Sequence, residues 1–272
     1  MLPVNSPVKI QSIDIYPMKS LEPHSLQNAN ILSCGALQGD RRWAMVDEQG
    51  KYINGKRTPL IHSISSRFDA SFNTIEIAFR DGKVESSNEP RWQQFELPAE
   101  KENLEQILSK HFGYPVFIQQ DAKQGFPDDL DAPGPTLIGS ASLEIMTQWF
   151  PGLTVPQLKR RFRANIVLET AEPFWEDRLF GPPESPRRFR VGDVELLGVN
   201  PCQRCVVPSR DSVTGKVWGG FQKEFARLRK ESLPDGTAKE HFNHYYRFAV
   251  NTRISPDNKG ASISYGDVVE LL

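Results

Sequence analysis

Apolar and polar residues alternate along several stretches of the chain, the period-two pattern of half-buried β-strands, beginning with VKIQSIDIYP at residues 8–17. RRWAMVDEQGKYI predicts a hairpin that turns near Gly50. NTIEIAFRDGKVE predicts a strand, a turn at Asp81–Gly82 and a return strand. The pattern resumes towards the C-terminus and predicts further strands in RFRVGDVELLGV, YYRFAVNTRI and YGDVVELL.

Three stretches instead repeat their apolar residues every three to four positions, as amphipathic helices do. PAEKENLEQILSKHFGYP places four apolar residues on one face: Leu104, Ile107, Leu108 and Phe112. Gly113 follows them and suits the C-terminal cap of such a helix. SASLEIMTQWFPG predicts a second helix. GGFQKEFARLRKE predicts a third, with its charges outward and its inward face formed by Phe221, Phe225 and Leu228.

Strands and helices do not alternate regularly along the chain, which argues against a doubly wound parallel sheet. Residues 121–137 are rich in Pro, Gly and Asp and have no apolar period, so we expect a loop near a domain boundary there. We predict a mostly β protein with a few helices. It would consist of a β-rich N-terminal domain with a helix, residues 1–125, and a second domain, residues 130–272.

The composition is that of a globular protein, because 38% of the 272 residues are hydrophobic and 25% are charged. The formal net charge is −1, so bulk charge gives no reason to expect nucleic acid or an anionic membrane as a partner. No apolar run approaches the roughly 18 to 20 residues of a membrane helix. The N-terminal stretch lacks the basic and apolar segments of a secretory signal, and we expect a cytoplasmic protein.

Two of the three cysteines, Cys202 and Cys205, form a C-x-x-C pair in NPCQRCVVPSRDSVTG. One interpretation is half of a zinc site, for which the remaining candidate ligands are Cys34, His241 and His244. A second is a redox dithiol, which needs the start of a helix to lower the pKa of its thiol. A third is a pair of small buried residues, since free cysteine is often no more than that.

The fourth interpretation is a single thiolate that binds a thiophilic metal. Arg204 lies between the two cysteines, and a neighbouring cation favours a thiolate over a thiol. Pro208 and the extended run around the pair argue against a helix start, and so against the redox dithiol. These residues alone leave the interpretations open and do not name a metal.

The cysteine motif resembles that of MOSC domains, a family related to the C-terminal domain of molybdenum cofactor sulfurases. It is most similar to the subgroup of the mitochondrial amidoxime-reducing components and their bacterial relatives. Further segments match this subgroup in order and spacing through nearly the whole chain: IYPMKS (15–20), GDRRWAMVDEQG (39–50), NGKRTPL (54–60), SASL (140–143), RFRANIV (161–167), PFWED (173–177) and VGDVEL (191–196). The resemblance implies an N-terminal β-barrel domain followed by a β-barrel MOSC domain.

The resemblance also implies a molybdenum cofactor, a phosphate-bearing pterin dithiolene whose metal takes one protein cysteine. By position that ligand is Cys205, and Cys202 would lie beside the site. The matched cofactor contacts are Lys19, Ser20, Arg41, Ser142, Arg163, Asn165 and Ile166, and we add Arg204 to them. Arg163 is the strongest of these, because a guanidinium in the apolar run FRANIV needs an anionic partner.

The activity implied is reduction of a small N-oxygenated substrate such as a hydroxylamine or an amidoxime. Cys205 would anchor the metal, and Asp211 and Arg210 are further catalytic candidates near it. The chain has no four-cysteine iron–sulfur signature, so we expect electrons from a separate ferredoxin, flavoprotein or cytochrome-type donor. Pro208 and Arg210 depart from the motifs of relatives, and this bears on substrate preference.

Two rival functions remain. In the first, the protein is a carrier or sulfurtransferase that hands on cofactor or sulfur through a cysteine persulfide. In the second, the cofactor has been lost and the chain is a binding module for a partner. The presence of matched cofactor contacts in both halves of the chain favours a resident cofactor over the carrier.

Overall fold

The computed structural model describes residues 7–80, 91–254, 258 and 260–272. Strands hold 32% of the residues and helices 23%, which confirms the mostly β fold class. The strands are β1 (Lys9–Ile15), β2 (His24–Leu26), β3 (Asn28–Asn30), β4 (Trp43–Val46), β5 (Ile64–Phe68), β6 (Thr74–Phe79), β7 (Gln93–Glu96), β8 (Phe117–Gln120), β9 (Leu137–Gly139), β10 (Ile166–Glu169), β11 (Arg187–Val191), β12 (Val194–Gln203), β13 (Arg247–Ile254), β14 (Ser262–Ser264) and β15 (Val269–Leu271). The α-helices are α1 (Lys101–Phe112), α2 (Ser140–Trp149), α3 (Val155–Phe162) and α4 (Phe221–Glu231).

The largest sheet has eight strands in the order β15-β11-β12-β13-β9-β10-β1-β2. It joins β1 and β2 from the start of the chain to strands from its second half, and β3 pairs with β14 in the same way. Within the described residues, this eight-stranded sheet does not close into a barrel. Between β1 and the last strands there is an isolated bridge, Lys9 to Val268, in place of a ladder. The predicted closed barrel is therefore not confirmed, and the boundary between residues 125 and 130 stays a prediction.

The N-terminal half carries two further small sheets and one helix. β5, β6 and β7 form a three-stranded sheet, and β4 pairs with β8. The predicted hairpin is present: Val46 bridges Tyr52 across a turn in which Gly50 has a φ of 72°. The predicted turn at Asp81–Gly82 lies outside the described residues.

The predicted helices are present, and one detail of α4 is wrong. α1 buries Leu104, Leu108 and Phe112 and ends at Gly113, whose φ is 78°. In α4, Phe221 and Phe225 are buried as predicted, but the third buried side chain is Arg229 and not Leu228. A charge faces inward there because Asp177 accepts two hydrogen bonds from the guanidinium, at 2.7 and 2.5 Å.

The helix α3 was not predicted from the sequence. Thr154 opens this helix with a capping box that includes Gln157, and Arg163 closes it in the left-handed conformation, with a φ of 54°. α3 packs with α2 and α4 around a second apolar cluster centred on Phe162, Phe225 and Phe248. The last turn of α3 carries three consecutive basic residues, Lys159, Arg160 and Arg161.

Within the described ranges, the structure contains no helix that is both long and apolar enough to cross a membrane.

Candidate functional site

A cavity of about 920 Å³ lies where the two halves of the chain meet. Its walls come from the segment after β1, from residues 54–64, from the loop between β8 and β9, from the end of α3 and from residues 200–212. The volume is within the range of cofactor sites, and a cleft between two parts of a fold is a common place for one. The cavity is therefore the leading candidate for the functional site.

The described lining of this cavity has an excess of positive charge. Nine basic side chains contribute to it: Lys19, Arg41, Lys56, Arg160, Arg161, Arg163, Arg204, Arg210 and Arg247. Four carboxylates oppose them: Glu22, Asp40, Asp128 and Asp129. The net charge of the whole chain is close to zero, so the excess is local. A large anionic ligand fits such a lining, because guanidinium and ammonium groups donate charged hydrogen bonds to phosphate oxygens.

Unusual backbone conformations concentrate around the cavity. Ser20, Arg41 and Arg163 have φ angles of 77°, 50° and 54°, and all three line it. A left-handed conformation at a residue other than glycine costs on the order of 1–3 kcal/mol and occurs often at ligand sites. All three positions are predicted cofactor contacts, and at Arg163 the left-handed conformation also ends α3.

Lys19 and Arg41 lie together on one wall, with an acidic partner from the β8–β9 loop. The Lys19 ammonium donates to the carbonyl of Phe126 at 2.8 Å and to Oδ1 of Asp128 at 2.6 Å. Nε of Arg41 is 3.8 Å from Oδ2 of Asp128, and Arg41 also pairs with Asp40. Burial lowers the pKa of Lys19, and Asp128 opposes that effect without cancelling it. Lys19 is thus an incompletely compensated cation.

Arg163 and Asn165 form the adjoining wall. The Arg163 guanidinium lies 4.0 Å from the centre of the Tyr16 ring and donates to the carbonyl of Leu21 at 2.7 Å. Burial lowers the pKa of Arg163, as expected for a cation without a close carboxylate. Asn165 accepts from the backbone N–H of Thr136 at 3.1 Å and donates to the carbonyl of Asp14 at 3.1 Å. These contacts fix the backbone at the end of β10.

Cys202 and Cys205 both line the cavity, are half-buried and form no disulfide. Cys202 is in β12, and Cys205 follows the end of that strand, so neither thiol begins an α-helix as a redox dithiol would. Arg204 donates to Sγ of Cys202 at 3.0 Å and to the carbonyl of Phe162. Burial disfavours the charge of Arg204, but the two sulfurs outweigh it and raise the pKa of the guanidinium.

The zinc interpretation finds no support in this geometry. Among the described residues, no three His, Cys, Asp or Glu side chains come together as metal ligands. His241 lines the cavity but its Nε2 contacts the carbonyl of Gly181 at 2.8 Å, and Cys34 contacts the carbonyl of Lys123. The cavity therefore offers thiols and cations, a donor set that suits an anionic cofactor with one metal–thiolate bond.

The two catalytic candidates after the cysteines differ in their placement. Arg210 lines the cavity. Asp211 does not line it, and its Oδ1 accepts from Val213 and Thr214 within a tight turn. Burial opposes the charge of Asp211, but these hydrogen bonds outweigh it and lower its pKa. An ionised carboxylate is not a proton donor near neutral pH, so the geometry gives no support to Asp211 as a general acid.

Two predicted cofactor contacts do not line the cavity as the structure describes it. Ile166 is fully buried in β10 between Ile13 and Leu137. Ser142 is fully buried in the first turn of α2, where its hydroxyl donates to Glu176 at 2.7 Å and accepts from the N–H of Phe174 at 2.6 Å. Their positions give a cofactor role no support, although both stabilise elements that carry cavity residues.

Replacing Glu176 with glutamine is expected to flatten the pH dependence of stability. Glu176 is 1% exposed, and burial together with Asp177 raises its pKa to about 7 from an ordinary 4.5. The raised pKa contributes stability below pH 4.5 that is lost as the pH rises through 7. Between pH 5 and pH 8 the wild type should therefore lose roughly 2–3 kcal/mol more unfolding free energy than the variant. Urea unfolding at both pH values measures this, and equal losses in the two proteins would contradict it.

Several residues of the cavity wall were not predicted from the sequence, and His62, Arg161 and Arg247 are among them. Arg161 is buried and donates to the carbonyl of Pro208 at 3.0 Å, which ties α3 to the segment after the cysteines. Burial, Arg210 and Arg163 lower the pKa of His62 to about 4, so its imidazole is neutral at physiological pH. A capping box at Thr154 was the one signal that could have located Arg161 on a helix.

Comparisons with known proteins agree with the motifs. Residues 7–111 match the MOSC N-terminal beta barrel domain, and residues 138–270 match the MOSC domain. Mitochondrial amidoxime-reducing component 1 of Danio rerio is 23% identical, with 74% of this chain and 68% of that protein covered. Mitochondrial amidoxime reducing component 2 of Rattus norvegicus is 24% identical, with 96% and 82% covered.

Two further likenesses are more distant or partial. A molybdenum cofactor sulfurase of Drosophila grimshawi is 24% identical over 84% of this chain, which spans only 31% of that protein. The solved structure of the YUAD protein from Bacillus subtilis superimposes with a TM-score of 0.39 at 9% identity, covering 98% of this chain and 96% of that one. The two domain matches together cover most of the chain, and the protein belongs to the MOSC family.

Proposed function

We propose that this protein binds a molybdenum cofactor in the cavity and reduces N-hydroxylated substrates with electrons from a separate donor protein. The observation that carries the proposal is the composition of the cavity wall: a C-x-x-C pair and an excess of cations, contributed by both halves of the chain. Two relatives are named for the reduction of amidoximes and one for the molybdenum cofactor, at 23–24% identity.

The residues present fit the proposed cofactor. Cys205 would supply the metal–thiolate bond, while Lys19, Arg41 and Arg163 would face the anionic part of the ligand, since the three share one region of the wall. Arg204 donates to Sγ of Cys202 and places a positive charge close to both sulfurs. When bound, the cofactor would supply a redox centre that accepts oxygen from the substrate.

The chain's own part in the reaction is binding, orientation and charge balance. Reduction of a hydroxylamine to an amine cleaves the N–O bond, releases water and consumes two electrons and two protons. The cavity wall would hold a neutral substrate beside the metal ligand, because the positive lining is taken up by the cofactor. Arg210 also lines the wall, and in this proposal its guanidinium would contact the substrate oxygen.

The alternative is a carrier or sulfurtransferase that acts through a persulfide on Cys202 or Cys205. The specific observation in its favour is the position of Cys202, whose sulfur accepts a hydrogen bond from Arg204 in the cavity although the proposed metal site needs only one cysteine. Against it, the strained cavity residues come from both halves of the chain, which is more than a persulfide requires.

An anaerobic assay with reduced methyl viologen and an aryl amidoxime separates the two functions. Cofactor-loaded protein should oxidise about two viologens per amidine formed, because viologen is a one-electron donor. Cys205→Ala protein taken through the same loading procedure should give no amidine above the protein-free rate. Loaded wild-type protein that forms no amidine, yet transfers cofactor or sulfane sulfur to a cofactor-free acceptor enzyme, would establish the carrier function instead.

A further inference from the structure

We propose that Asp128 is an internal counterion of the anion site, and that the anionic group of the ligand displaces its carboxylate from Lys19 and Arg41. The inference rests on the proposed function, because it concerns how the same cavity takes up a phosphate-bearing ligand. The loop between β8 and β9 would thus hold the anion site closed with its own carboxylate until the ligand binds.

The geometry of the cluster places one carboxylate where a ligand oxygen would bind. Oδ1 of Asp128 is 2.6 Å from the Lys19 ammonium, and Oδ2 is 3.8 Å from Nε of Arg41, so the carboxylate bridges the two cations. The cavity wall removes part of the hydration of Asp128, which disfavours its charge, but Arg41, Lys19 and Arg163 outweigh this loss and hold the pKa of the carboxyl well below its usual range. The carboxylate therefore stays ionised and competes with an incoming anion at any physiological pH.

The two cations are buried while the carboxylate is accessible. The side chains of Lys19 and Arg41 are 7% and 14% exposed, whereas that of Asp128 is 68% exposed. Lys19 donates its backbone N–H to Trp43 at 2.7 Å, and Arg41 donates its own to Tyr16 at 2.8 Å. An anion that approaches from the cavity would thus meet the exposed carboxylate of Asp128 before the two buried cations.

The loop around Asp128 is held by other hydrogen bonds, so it can release the contact between Asp128 and Lys19. Phe126 donates its N–H to the carbonyl of Arg41 at 2.9 Å, and Asp129 accepts from Asn251 at 3.4 Å. Leu130, two residues after Asp128, is 80% exposed, so little packing opposes a change of path between these anchors. Without a replacement anion, release would leave the Lys19 ammonium with the carbonyl of Phe126 and the face of the Tyr52 ring but no described carboxylate, which keeps Asp128 in place until a ligand arrives.

Asp128→Asn in full-length protein from a host without cofactor synthesis tests the inference, with inorganic pyrophosphate as the probe. We expect the variant to bind pyrophosphate about tenfold tighter or better than the wild type by calorimetry. Its melting temperature without pyrophosphate should be lower, because Lys19 loses its carboxylate partner while Arg41 keeps only Asp40. Asp129→Asn is the matched control, since Asp129 also lines the cavity but contacts neither cation, and its affinity should stay within about twofold of the wild type.

Unchanged or weaker binding by Asp128→Asn would overturn the inference, as would equal tightening by Asp129→Asn, which would indicate a general charge effect. A second measurement uses the wild type alone: pyrophosphate should increase hydrogen exchange in residues 126–132, and increased protection there would also overturn it. The probe contains no pterin or metal. If these pyrophosphate measurements fail although the wild type purifies with molybdenum from a cofactor-producing host, only the counterion role of Asp128 is rejected. If they succeed although the wild type never contains molybdenum, only the proposed function is rejected.

Discussion

Replacing Cys205 with alanine is expected to reduce the molybdenum content of protein from a cofactor-producing host to below roughly a tenth of the wild-type value. The reason is that Cys205 is the single protein thiolate proposed for the metal, and the described residues assemble no alternative cluster of metal ligands around it. Cys205 is half-buried and its side chain is not part of either apolar core, so the fold should persist. Elemental mass spectrometry with circular dichroism measures both outcomes.

Cys202→Ala and Cys34→Ala are the matched controls, because both remove a half-buried free thiol. Cys202 shares the cavity with Cys205, whereas Cys34 contacts the carbonyl of Lys123 and is absent from the described lining. Both variants should keep most of their molybdenum. Equal metal loss in Cys202→Ala and Cys205→Ala would contradict the assignment of one thiolate and would instead indicate that the pair acts together.

The largest effect on stability is expected from Asp177→Asn, about 3–5 kcal/mol of lost unfolding free energy. Asp177 and Arg229 have side chains only 5% and 1% exposed, and the guanidinium also lies 4.0 Å from the centre of the Phe174 ring. Burial raises the pKa of Asp177, and Arg229 opposes this as its main counter-charge. The variant leaves Arg229 as a buried cation without a carboxylate, which costs far more than the ion pair itself contributes.

Urea unfolding at pH 7 measures this loss, and two comparisons test its cause. Glu172→Gln removes a surface pair with Arg178, in which the side chains are 47% and 52% exposed, and should change stability by less than about 1 kcal/mol. The double variant Asp177→Asn with Arg229→Met should be more stable than Asp177→Asn alone, because it also removes the stranded charge. A double variant that is less stable than the single one would contradict this explanation.

The burial of Arg229 also indicates where sequence patterns fail. The period of α4 identified Phe221 and Phe225 correctly, because apolar side chains at helical spacing share one face of the helix, and that face packs against the core. The same rule places every charge outside. Arg229 is an exception because its partner, Asp177, lies 52 residues earlier in the chain. A local sequence pattern does not predict an ion pair at that separation.

The site was predictable to the extent that its residues lie in recognisable motifs. Lys19, Arg41, Arg163 and Cys205 were proposed from such motifs, and all four line the cavity. Ser142 was proposed in the same way but is fully buried against Glu176 and does not line the cavity. The first turn of a helix can face either a ligand or the core, and the motif alone does not distinguish the two. Asp128 was not proposed, because its contact with Lys19 spans 109 residues and depends on the path of a loop without any apolar period.

The most direct test of the central claim is the cofactor content of the wild-type chain purified from a host that makes the molybdenum cofactor. Elemental mass spectrometry and a fluorescent pterin assay on the same sample give both quantities. The cavity predicts close to one molybdenum and one pterin per chain. Protein that contains zinc alone, or neither metal nor pterin, would contradict a resident molybdenum cofactor.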